Sequence, residues 1–102
     1  MGSSNKVSLI LGGEKMYTFY RRLGQSEPTL IHTTENVKSL KDSIISYLQK
    51  DGFTKEQSIS LVEFGIPIKW RNGKFMEATV DGPTTILETE DKQLSYLIIL
   101  NK

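Results

Sequence analysis

Apolar positions recur along the chain in two different periods, and the switch between them separates one helix from a set of strands. Val37, Leu40, Ile44 and Leu48, with Ile45 beside them, lie three and four apart. That is the spacing of one helical face. Lys38, Lys41, Asp42 and Gln49 fall on the other side, so the pattern predicts an amphipathic helix over 36–50. Thr34 and Ser39 are candidate caps for its first amides, and Gly52 is placed to end it in the left-handed conformation. Thr54-Lys55-Glu56-Gln57 has capping-box spacing and opens a further short turn.

On either side of that helix the pattern is that of strands. Residues 7–11 and 16–20 are β-rich runs joined by Gly12-Gly13-Glu14-Lys15, which reads as a hairpin. A phosphate-cradling loop would need a Gly-Lys-Ser/Thr continuation and a following helix, and neither is present. Residues 23–28 form a loop by their Gly, Gln, Ser and Pro content, and 29–32 a short strand. Residues 59–64 read as a further strand, with Pro67 pushing the next stretch toward a sheet edge or bulge. The runs 66–70 and 74–80 flank Arg71-Asn72-Gly73, where Asn-Gly is a strong hairpin signal because both residues tolerate positive φ. Asp81-Gly82-Pro83 is another turn, followed by an extended piece at 84–87. Residues 94–100 are nearly all apolar, as expected of a strand buried on both faces in the middle of a sheet.

Hairpin, helix, several strands and a central last strand make an α+β domain, with the helix laid across one sheet face so that Val37, Leu40, Ile44 and Leu48 are buried. One domain over 6–102 is expected, preceded by a disordered end or cloning scar at 1–5. The hairpin over 7–20, the helix over 37–50, the strand at 59–64 and the last strand at 94–100 together resemble the ubiquitin-like β-grasp superfamily. That resemblance implies a mixed sheet with one main helix packed across it. Phe64-Gly65-Ile66 and Asn72-Gly73-Lys74-Phe75-Met76-Glu77 are similar to a strand and following turn of Ras-association-like and FERM-type ubiquitin-like modules. Conjugated modifiers and sulfur carriers of the superfamily end in Gly-Gly, whereas this chain ends Leu100-Asn101-Lys102. The expectation is therefore a binding module rather than a modifier.

Composition narrows the chemistry. The 102 residues carry 13 Lys and Arg against 12 acids, a formal charge of +1 that argues against a strong global field for nucleic acid or membrane. There is no cysteine, which excludes disulfides, thiolate zinc sites and cysteine nucleophiles, and fits a reducing, cytoplasmic setting. The longest apolar run, 96–100, is too short to span a bilayer. His32 is the single histidine, and no serine sits in a nucleophile-elbow pattern, so neither a triad nor a transition-metal site is expected. Glu88, Glu90 and Asp91 lack calcium-loop spacing and read as a solvated turn. No catalytic residue, metal or cofactor is assigned.

Two surfaces remain. Arg21 and Arg22 end the second run, and Lys38 and Lys41 open the helix. In Ras-association-like modules, which the chain resembles, basic residues in such places face an acidic strand of a small GTPase. The implied partner is a GTPase or another signalling or cytoskeletal protein, bound through an exposed strand edge with these charges steering it. The plainer reading of all four is solvated surface charge. The second surface is Lys69-Trp70-Arg71-Asn72-Gly73-Lys74-Phe75, where Lys69, Trp70, Arg71, Lys74 and Phe75 have the mix that stacks on and neutralises single-stranded nucleic acid. The favoured alternative is a hairpin in which Trp70 and Phe75 pair across the strands. A self-assembling scaffold domain is a third reading.

Overall fold

Strand β1 (Met16–Leu23) lies between two antiparallel neighbours in a computed structural model that describes residues 15–71 and 73–101. One neighbour is β2 (Thr29–Thr34), and the other is β6 (Leu94–Asn101), which pairs with all eight β1 residues from Met16↔Asn101 to Leu23↔Leu94. β3 (Ile68–Lys69), β4 (Phe75–Asp81) and β5 (Thr84–Thr89) follow one another as antiparallel hairpins into β6. The sheet order is β2-β1-β6-β5-β4-β3. The 7–11 arm of the first expected hairpin, its Gly12-Gly13 turn, the expected 1–5 end, Asn72 and Lys102 lie outside the described residues.

This topology overturns the expected ubiquitin-like β-grasp. Every neighbouring pair among the described strands is antiparallel, whereas that fold requires a mixed sheet, and two helices rather than one cover the sheet. The second helix, α2 (Lys55–Phe64), occupies the stretch read as a strand at 59–64. Its start is enforced locally. The Thr54 hydroxyl accepts from the Gln57 amide at 3.1 Å, and the Gln57 side-chain oxygen accepts from the Thr54 amide at 2.9 Å. This reciprocal box satisfies two of the amides a helix start leaves orphaned. Gly65, at φ +66, ends the helix in the left-handed conformation that glycine adopts without a Cβ clash.

The first helix, α1 (Val37–Lys50), matches its predicted span. Its cap is Asn36, whose Oδ1 accepts from the Ser39 amide at 3.0 Å, in place of Thr34 or Ser39. Thr34 takes one step back and accepts from the Asn36 amide. Leu40, Ile44 and Leu48 are buried, while Val37, the fourth member of the predicted stripe, is left exposed at the helix start.

Both helices cover one sheet face. Register places Tyr17, Phe19, Arg21 and Leu23 opposite Leu100, Ile98, Tyr96 and Leu94, and the Phe19 ring meets Tyr47 of α1 edge-on. The same face takes Leu87 and Thr89 from β5, Met76 and Ala78 from β4, and Ile68 from β3. Tyr96, Phe19, Leu48, Leu61, Met76 and Leu94 are the deepest core side chains. Each contributes roughly 1.5–3 kcal/mol by leaving water. β6 sits third of the six strands, in the middle of the sheet as its apolar run predicts, and is buried at Leu94, Ser95, Tyr96 and Ile98, while Leu97 and Ile99 on the face away from the helices are half-buried rather than fully buried as expected.

Candidate functional site

The four basic residues expected to form one surface are held in different ways. Arg21 points to the helix side of the sheet, where Asp51 at the end of α1 receives it. Arg21 Nε donates to Asp51 Oδ2 at 2.9 Å and Nη2 to Oδ1, the two-pronged geometry in which the planar guanidinium matches a carboxylate. The buried Tyr96 hydroxyl donates to the same carboxylate, and the indole N–H of Trp70 donates to the Asp51 carbonyl. Four separate elements or turns are thus clasped at one residue.

The electrostatics follow from that clasp. The hydrogen bond to Asp51 holds the Arg21 guanidinium above its usual range, against the opposing effect of burial. Burial pushes the Tyr96 phenol up, and its bond to the Asp51 carboxylate pushes it further, because a tyrosinate there would face an anion. Arg21 therefore belongs to the structural framework and leaves the proposed steering surface. Arg22, next in the strand, points away from the helices and donates to the Gly24 carbonyl at 3.1 Å and to Gln25. Lys38 pairs with Asp42 one helical turn on, at 3.2 Å and well exposed. Lys41 reaches Glu63 at 2.9 Å and ties α1 to α2. No common basic face results.

The aromatic and basic hairpin is also used internally. Register sets Phe75 opposite Lys69, so the expected Trp70–Phe75 cross-strand pair does not form. Instead the Lys69 ammonium lies 5.6 Å from the Phe75 ring centroid. Trp70 stacks on Phe53 at 5.9 Å and 16°, with the Arg71 guanidinium 5.2 Å from its ring centroid. Its ring and its N–H are both engaged within the chain, which leaves it poorly placed to stack on a base. Lys74 also has an interaction within the fold.

Other candidates resolve in the same way. His32 Nε2 lies 3.1 Å from the Ser39 hydroxyl, fastening β2 to the first turn of α1. In the turn before β6, Thr89 is buried and donates to Asp91 at 2.8 Å, and the Gln93 amide donates to the same Asp91 oxygen. Those two bonds lower the Asp91 carboxyl. Among the described residues no group of three His, Asp or Glu side chains is arranged to hold a metal, and no helix is long and apolar enough to cross a membrane.

Two features that sequence reasoning did not locate are geometrical. The first is the outer edge of β2, which forms one border of the sheet among the described residues. It reads Thr-Leu-Ile-His-Thr-Thr, without a formal charge on an acid, lysine or arginine, and Leu30 is 58% exposed. A register shift opposite Phe19/Tyr20 puts a bulge in it. The second is a cavity of about 400 Å³ between the helix pair and the sheet. Leu40, Ile44, Leu61, Ala78, Leu87 and Ile98 form much of its wall. A lone small residue, Ala78 between Met76 and Val80 on the same face, was the only sequence signal for it. Comparison with known proteins finds no matching family model, no matching curated protein and no matching solved structure.

Proposed function

We propose that the chain is a non-catalytic protein-interaction module that takes an extended segment of a partner protein along the outer edge of β2. The supporting observation is that edge: six residues, half of them threonine, with no charged side chain except what His32 gains on protonation. A strand border of this kind presents backbone N–H and C=O groups to solvent, and a partner strand satisfies them while its side chains supply specificity. Edges not meant for pairing usually carry lysine, proline or glutamate; here the single concession is the bulge. Arg22 and Lys38 are the two of the original four cations that can steer the approach. The Lys38–Asp42 pair is exposed, and such pairs are worth only about 0.3–0.5 kcal/mol, so an acidic partner competes for Lys38 readily.

The reading is tested by selecting binders from a random-peptide display library and mapping each by amide hydrogen exchange. Bound peptides should protect amides of β2. The double variant Leu30→Lys/Thr33→Lys puts two charges beside the edge without touching the core, and should weaken binding about tenfold or more. Its melting temperature should stay near that of the parent. Binders that protect other amides, or that bind the double variant equally well, would refute the proposal.

A further inference from the structure

The helix layer is shorter than the sheet it covers. α2 stops at Phe64, yet β4 runs on to Asp81 and β6 to Asn101. Val80 lies on the helix side of β4, opposite Thr85, and is still 72% exposed, since neither helix among the described residues reaches over it. Just inside it, Ala78 supplies only a methyl group where its neighbours supply Met76 and Leu87. The two effects leave the cavity between the layers, open toward the β4–β5 turn at Val80, Gly82 and Pro83.

We infer that this cavity is a binding site for a small, uncharged, largely hydrocarbon molecule. Water inside it is poorly held. A stable interior water needs two to four polar partners; the wall formed by Leu40, Ile44, Leu61, Leu87 and Ile98 has none in its side chains, and the rest of the lining adds only the Tyr17 and Thr85 hydroxyls and Lys41. Displacing that water by hydrocarbon is favourable for the reason that burying any apolar surface is. The ligand's lack of charge follows from the lining. Lys41 is its one charged residue, but Glu63 neutralises it at 2.9 Å, and an anion drawn in would lose its hydration without gaining a free cation as partner. Size follows from volume. An apolar cavity of roughly 150 Å³ accepts benzene, so about 400 Å³ suits a fused two-ring system or a chain of about ten carbons. This site lies on the helix side of the sheet and is independent of the β2 edge.

The probe is N-phenyl-1-naphthylamine, a neutral dye whose emission rises in apolar surroundings. Titrated into the whole chain, it should saturate at one equivalent, and decanol should displace it at about tenfold lower concentration than decanoate does at pH 8. Ala78→Leu puts three more carbons into the space and should weaken the dye about tenfold or more without lowering the melting temperature. If that variant fails to fold, methyl NMR of the parent decides. Shifts on adding decanol should then concentrate on Leu40, Ile44, Leu61, Leu87 and Ile98. Emission that never saturates, decanoate binding as well as decanol, an unchanged affinity in a folded Ala78→Leu, or methyl shifts elsewhere would each overturn the inference. Displacement by apolar peptides but not by decanol would also overturn it, assigning the cavity to a partner's side chain.

Discussion

Replacing Asp51 by alanine removes one carboxylate from beneath three donors while leaving the backbone carbonyl that Trp70 uses. The carboxylate is about 10% exposed and Arg21 about 25%, while Tyr96 is fully buried. Stripping one partner from a buried ion pair costs about 3–5 kcal/mol, chiefly by leaving the other charge stranded. Arg21 keeps some access to water, so the lower end of that range applies to it. The Tyr96 hydroxyl has no such recourse, and an orphaned buried donor costs about 1–3 kcal/mol, part of it already counted in the pair. The expected loss is about 3 kcal/mol, which for a domain of this size lowers the melting temperature by about 12–24 °C. Asp51→Asn keeps an acceptor of the same shape for Tyr96 and gives up only the charge, so about half that loss is expected. Urea unfolding measures both, and the midpoint should fall with the slope unchanged. An Asp51→Ala variant within about 0.5 kcal/mol of the parent, or one no worse than Asp51→Asn, would refute the reasoning.

Alkaline pH strains the same clasp. Tyr96 is held protonated in the fold but ionises near pH 10 when unfolded, so its stabilisation is complete below pH 10 and is lost as pH rises beyond. Urea midpoints should fall more steeply between pH 9 and 11 in the parent than in Tyr96→Phe; equal slopes would contradict the assignment. Gly52 and Gly65 both have positive φ, but a Cβ on Gly52 would come within 3.2 Å of Trp70 Nε1 and Arg71 Nη1, whereas one on Gly65 meets nothing. Thermal unfolding should therefore rank Gly52→Ala below Gly65→Ala, with about 1 kcal/mol lost at Gly65 from backbone strain alone and more at Gly52. The reverse order would mean that the Trp70 contact is not tight.

The parts of this fold that were legible in the sequence are those a local pattern can determine. Leu40, Ile44 and Leu48 repeat at helical spacing because only that face of α1 is buried, and the apolar run at 94–100 marks β6 as an interior strand of the sheet, although Leu97 and Ile99, on the face away from the helices, are only half-buried. The misreading of 59–64 has an identifiable source. Ser58-Ile59-Ser60-Leu61 alternates like a strand, yet the positions α2 buries are Ser58 and Leu61, three apart. A serine in a core position hides the helical period, and it is tolerated because its hydroxyl donates to the Thr54 carbonyl at 2.8 Å. The capping box at Thr54 and Gln57 was the better guide. Strand direction was not legible at all. Whether β6 runs parallel or antiparallel to β1 depends on how many hairpins follow the helices and where the chain re-enters the sheet, which no local pattern encodes. The clasp was hidden for the same reason, since Asp51 lies 30 residues from Arg21 and 45 from Tyr96.

The ladder between β1 and β6 bears on how the chain fares as it is made. β1 can pair with β2 as soon as both have left the ribosome, yet its other border must wait until the strand from Leu94 to Asn101 is reached, about seventy residues later. At about 5–20 residues per second that wait lasts roughly 4–14 seconds. Throughout it, the border of β1 that β6 will occupy is an unpaired strand edge, and Phe19 lacks the Tyr96 and Ile98 side chains that complete its surroundings. Until the last strand emerges, the nascent chain is the form most in need of a chaperone, and a stalled ribosome would leave it exposed in that state.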